Sequence, residues 1–164
     1  MADNHQRALG YLEILDGKYA LEELGYLYAF AYFQLKLLCW YSASRYTKAS
    51  EVADEALAYF SHLPFPYPVQ MSVFELHKIV FYTVLKEFSL GAAAFRQCSK
   101  YVVAGSTDWI RLQEAAFRLM IYSKRYEEAF EAYLVVVSTS ILSFKPELCR
   151  DRLLIIRSFF NYMK

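Results

Sequence analysis

Aromatic and small residues recur along this chain at intervals that suit one face of a helix, and they do so three times. Tyr46 is followed by Ala49, Ala53 and Ala56, Phe88 by Gly91, Phe95 and Cys98, and Tyr126 by Ala129, Tyr133 and Val136. The shared order is an aromatic anchor, a small residue at +3, an apolar one at +7 and a small or apolar one at +10. Those offsets mark one stripe of an α-helix, and a small residue one turn in lets a neighbouring helix approach closely. Upstream of the anchors, at −17, −14, −9 and −6, stand Ala29, Tyr32, Leu37 and Trp40, then Met71, Phe74, Ile79 and Tyr82, then Trp109, Leu112, Phe117 and Met120. Each copy reads as a first helix, a short turn and a second helix. The anchors lie 42 and 38 residues apart, a period suited to one helix pair per repeat.

The breaks between these patterns agree. LPFPYPVQ at 63–70 is not helical, because each proline removes a backbone donor and restricts the residue before it, so it separates the first copy from the second. Gly105, Ser106, Thr107 and Asp108 supply a stop and then N-cap candidates, and Pro146 with Glu147 suits a first helical turn. The pattern predicts helices at about 4–15, 19–43, 47–61, 69–86, 89–103, 107–123, 126–138 and 146–162, with Gly25 a candidate kink in the second. The expected class is all-α, in a single domain spanning 1–164 with repeats at 26–66, 67–105 and 106–143 and a C-terminal helix at 146–162.

The segment with Trp109 and Leu112, followed by Tyr126, Ala129 and Tyr133, resembles the tetratricopeptide repeat. The resemblance extends over about residues 26–138 and is to the divergent helical-repeat proteins found in bacteria. Gln113 stands where that family has Gly, no proline follows Tyr133 to end the repeat, and the first helix is one turn longer than the family's unit. HEAT-like and other α-α repeats satisfy the same helix pattern. The resemblance implies a right-handed α-α superhelix of about three helix pairs plus terminal helices. It implies a scaffold that binds a protein or peptide on its first helices, without catalysis or cofactor. The polar and aromatic candidates there are Tyr32, Lys36, Phe74, Lys78, Arg111 and Arg118. Lys36 and Lys78 both stand ten residues before an anchor, an arrangement suited to gripping carboxylates of an extended peptide.

Composition narrows the picture further. The 164 residues are 57% hydrophobic, enough for a sizeable core, with only 5 Gly and 4 Pro to interrupt helices. Eighteen basic against 17 acidic residues leave no global field to draw the chain to nucleic acid. The apolar stretch 24–43 is interrupted by Gln34 and Lys36 and rich in Tyr, so it reads as a core helix rather than a membrane span. Cys39, Cys98 and Cys149 are isolated from one another, which fits a reducing, cytoplasmic setting, and the N-terminus has no secretory pattern.

Candidate chemistry is sparse. His5, His62 and His77 have no metal-ligand spacing, and no phosphate loop or nucleophile elbow is present. Glu127, Glu128 and Glu131 lie off the Tyr126 stripe, with the first two placed to complement a helix dipole. The C-terminal stretch is too apolar for an exposed cap. Leu153, Ile156, Phe159 and Phe160 are therefore candidates for self-association, the alternative reading, or for contact with further repeats beyond Lys164.

Overall fold

Among the described residues seven α-helices follow one another: α1 (Asp3–Asp16), α2 (Tyr26–Ser42), α3 (Tyr46–His62), α4 (Pro68–Leu85), α5 (Phe88–Cys98), α6 (Thr107–Tyr122) and α7 (Tyr126–Leu142). The structure, a computed structural model, describes residues 3–18, 25–142, 154, 157 and 158, and contains no strand among them. Residues 19–24 of the helix expected at 19–43, and most of the helix expected at 146–162, lie outside the described residues.

Helix ends follow local chemistry. Gly25 does not kink α2 but caps it, its carbonyl accepting from the N–H groups of Tyr28 and Ala29. Pro68 opens α4, where its missing N–H has no partner to lose. Ser106 Oγ accepts from Trp109 N–H at 3.1 Å and starts α6 as expected. Two ends differ from the sequence reading. α5 stops at Cys98 rather than near 103, because Lys100 and Tyr101 bond three residues back and the β-branched pair Val102 and Val103 follows. α7 runs on to Leu142, past the polar Ser138, whose hydroxyl bonds back to the Val135 carbonyl.

One turn recurs three times. Ser44, Lys86 and Lys124 have φ of 57°, 62° and 63°, and each stands two residues before an aromatic anchor. Their N–H groups bond Tyr41, Thr83 and Ile121 carbonyls at 2.9, 3.2 and 3.0 Å. The next residues, Arg45, Glu87 and Arg125, bond Trp40, Tyr82 and Met120 carbonyls at 2.9, 2.8 and 2.8 Å. This is the Schellman ending of a helix, normally built on glycine because an L side chain disfavours the left-handed region. The same three residues then open the next helix, their carbonyls accepting from Ala49, Gly91 and Ala129 N–H groups. The same turn thus joins α2 to α3, α4 to α5 and α6 to α7.

Relief of that strain gives a prediction. The triple variant Ser44→Gly, Lys86→Gly and Lys124→Gly gains roughly 1 to 3 kcal/mol in total, the αL cost of each side chain less the entropy that glycine adds to the unfolded chain. The measurement is chemical denaturation, and an unchanged or lower midpoint would sink it.

Neighbouring helices share three cores. The first joins Leu12 of α1 with Phe33, Leu37, Ala53, Phe60 and Phe74 of α2, α3 and α4. The second joins Ile79, Ala94, Cys98, Leu112 and Leu119 of α4, α5 and α6, and the third joins Phe117 and Ala129 of α6 and α7. α4 and α6 thus each contribute to two cores, presenting different sides to the helices before and after. The small residues one turn into the second helices, Ala49, Gly91 and Ala129, are all buried.

Candidate binding groove

The sequence-derived site residues separate into two groups. Tyr32 and Phe74 are core residues at 7% and 0% exposure, with Phe74 held among the rings of Phe30, Phe33 and Phe60. Lys36 and Lys78, expected to meet a ligand's carboxylates, meet carboxylates of α3 instead. Lys36 Nζ is 3.3 Å from Glu55 and 5.5 Å from the centre of the Tyr32 ring, while Lys78 Nζ is 2.7 Å from Asp54. They brace α3 from its two sides. Burial pulls both ammonium groups down, but hydrogen bonds and charge from Tyr32 and Glu55, and from Asp54 and Glu75, outweigh it and hold both above the usual lysine range. The third equivalent position is Ala116, fully packed, which shows that this register faces inward. Leu153, Ile156, Phe159 and Phe160 lie outside the described residues.

Arg111 and Arg118 behave differently. They line two adjoining hollows of about 260 Å³ each that run between α4 and α6 and share Val80, Ala115 and Arg118. Leu76 and Glu114 complete one hollow, and Thr83, Val84, Lys86 and Tyr122 the other. The floor is apolar and the rim carries three cations. Glu114 Oε1 accepts from Arg118 Nη2 at 2.7 Å, and Arg118 Nε is buried without a hydrogen-bond partner. Arg111 Nη1 donates to Asp108 at 3.2 Å on the exposed side.

The groove has its own register. Leu76 and Glu114 stand 12 residues before their anchors, Val80 and Arg118 stand 8 before, and Val84 and Tyr122 stand 4 before. In the first helix pair the same positions are Gln34, Leu38 and Ser42, of which Leu38 and Ser42 are exposed. Sequence reasoning reached this line only at Arg118, because its other choices on α2 and α4 stand at −14 and −10, and two residues along a helix rotate a side chain by about 200°. Between the second and third copies these three positions change from apolar to charged or phenolic, from Leu76 to Glu114, Val80 to Arg118 and Val84 to Tyr122.

Buried ionisable groups lie on the core side of α4. Glu75 is 6% exposed, with Oε2 lacking a hydrogen-bond partner and Lys78 Nζ 3.8 Å away. Burial raises its carboxyl above the usual range, more than Lys78 and Lys100 lower it, and Asp54 adds to the rise. A raised native value means that the folded chain holds the proton more tightly than the unfolded one. That contribution to stability is complete below the unfolded pKa of about 4.3 and is lost as pH climbs through the native value. Glu75→Gln is therefore more stable than the parent at neutral pH, with the advantage shrinking to nothing near pH 3.5–4. Thermal melts at pH 4 and pH 7.5 check it, and an equal shift at both would contradict it. Nearby, burial lifts the Cys98 thiol to about 12 and lowers His77, whose Nδ1 lies 2.7 Å from the Val73 carbonyl. The Cys98 thiol is therefore not poised as a nucleophile near neutrality.

No set of three or more His, Cys, Asp or Glu placed to hold a metal ion occurs among the described residues. Fold and groove together define an all-helical protein whose neighbouring helices pack in chain order. Comparison with known protein families, with curated proteins and with solved structures returns no match.

Proposed function

We propose that this chain is a helical-repeat scaffold that binds a partner protein or peptide in the groove between α4 and α6. Its helix pairs wind in the right-handed manner of tetratricopeptide-like solenoids, and no catalysis is assigned to it. The observation that carries the reading is the groove itself: an open, apolar-floored channel whose lining includes the same three register positions of two successive first helices. The thrice-repeated turn supports the solenoid. Cys39 and Cys98 are free thiols, and among the described residues no helix is long and apolar enough to cross a membrane. We place the protein in the cytoplasm.

The test is selection from a displayed peptide library on the immobilised chain, followed by affinity measurement on the Val84→Glu/Tyr122→Glu variant. Both positions are exposed, at 50% and 59%, so the fold tolerates the change. Selected peptides lose at least about tenfold in affinity, roughly 1.4 kcal/mol. Failure to enrich any peptide, or equal binding to variant and parent, overturns the proposal.

A further inference from the structure

We propose that the occupant of the α4–α6 groove is an amphipathic α-helix whose apolar stripe is flanked by carboxylates. The inference rests on the groove being the binding site and names the chemistry of what enters it.

Spacing argues for a helix. One wall rises through Leu76, Val80 and Val84, the other through Arg111, Ala115, Arg118 and Tyr122. Each wall therefore offers one contact per helical turn, about every 5.4 Å. A third helix laid along the seam repeats its own apolar residues at that interval, so its side chains enter successive gaps as in a small bundle. An extended peptide repeats the side chains of one face at about 6.6 Å and falls out of step within the groove. From Arg111 to Tyr122 the wall is roughly 16 Å long, which accommodates three turns of a ligand helix.

Charge argues for acidic flanks. Arg111, Arg118 and Lys86 stand at the rim, and Glu114, the one carboxylate of the lining, already holds Arg118. The ion pair of Arg111 with Asp108 is exposed and is exchanged for a ligand carboxylate at little cost. Arg118 makes an incomplete set of bonds in place, with Nε buried and lacking an acceptor, so turning its guanidinium to a ligand sacrifices less than a saturated arginine would. The chain's own C-terminal stretch carries Lys145, Arg150, Arg152, Arg157 and Lys164 against Glu147 and Asp151, the same sign as the rim. A partner of opposite charge fits better than this tail.

Three synthetic probes of about 14 residues, roughly 20 Å as a helix, decide the matter by fluorescence anisotropy. The first has Leu at i, i+4, i+7 and i+11 flanked by Glu. The second replaces each Glu by Lys, and the third keeps Glu but carries two central prolines. The acidic helix binds the parent chain, and both other probes bind at least tenfold more weakly. Arg111→Glu/Arg118→Glu, at two exposed or half-exposed positions, weakens the acidic probe by tenfold or more and strengthens the lysine probe. Equal binding of the proline probe overturns the helix, and equal binding of the lysine probe overturns the charge preference. If the acidic probe does not bind while library-selected peptides still depend on Val84 and Tyr122, this inference fails and the groove reading stands.

Discussion

Replacing Phe74 by Ala lowers the stability of the chain by about 3 to 5 kcal/mol, the cost of deleting a fully buried ring whose cavity cannot collapse. Phe74 has no exposed surface and lies 5.7, 6.3 and 6.1 Å, centre to centre, from the rings of Phe30, Phe33 and Phe60. Those rings come from α2 and α3, so the substitution loosens three helices at one point. Cavity and lost edge-to-face contacts act together here, which places the site toward the upper end of the range. Phe65→Ala, in the proline connector and 68% exposed, stays within about 0.5 kcal/mol and serves as the control. Urea unfolding measures both. A loss below about 1 kcal/mol at Phe74 would mean that these rings do not form the packed core described.

Gly91→Val costs about 1 to 3 kcal/mol, although valine suits a helix better than glycine does. A Cβ at Gly91 would stand 2.8 and 3.3 Å from the two methyl groups of Leu119 and 3.6 Å from Tyr82 Cβ. Leu119 is itself 3% exposed and packed in the second core, so it has little room to move aside. The close approach of α5 to α6 therefore depends on a missing side chain. Leu119→Ala opens the space a valine needs, so the double variant is less destabilised than the sum of the singles. Strict additivity in that cycle would show that the two sites are not in contact.

Much of the packing was legible before any coordinates. The stripe that begins at Tyr46, Phe88 and Tyr126 predicted buried small residues, and Ala49, Gly91 and Ala129 are buried. The −14 and −9 positions likewise enter the cores as Tyr32, Phe74, Leu112, Leu37, Ile79 and Phe117. Hydrophobic burial is written into spacing because a helix side must be apolar wherever it meets another. The candidate site was read less well. Phe74 and Lys78 drew notice as residue types suited to recognition, whereas what counts is the angle at which the helix presents them. Lysine at −10 also reads as exposed by type, and only the nearby Asp54 and Glu55 reveal its inward role. The three left-handed turns carried no sequence signal, since Ser44, Lys86 and Lys124 stand where glycine would have announced them.

Under the proposed function, recognition draws on helix positions other than those that fill the deepest core. The −14, −10 and −9 positions carry the cores and the braces to α3, while −12, −8 and −4 face the groove. Val84 and Tyr122, 50% and 59% exposed, and the half-exposed Arg118 therefore form a surface that can be rewritten with little penalty to the frame, whereas Leu76 and Val80 also pack against the cores and Glu114 is buried. A combinatorial library varied at Val84, Arg118 and Tyr122 alone is a route to binders of chosen specificity on an otherwise constant protein.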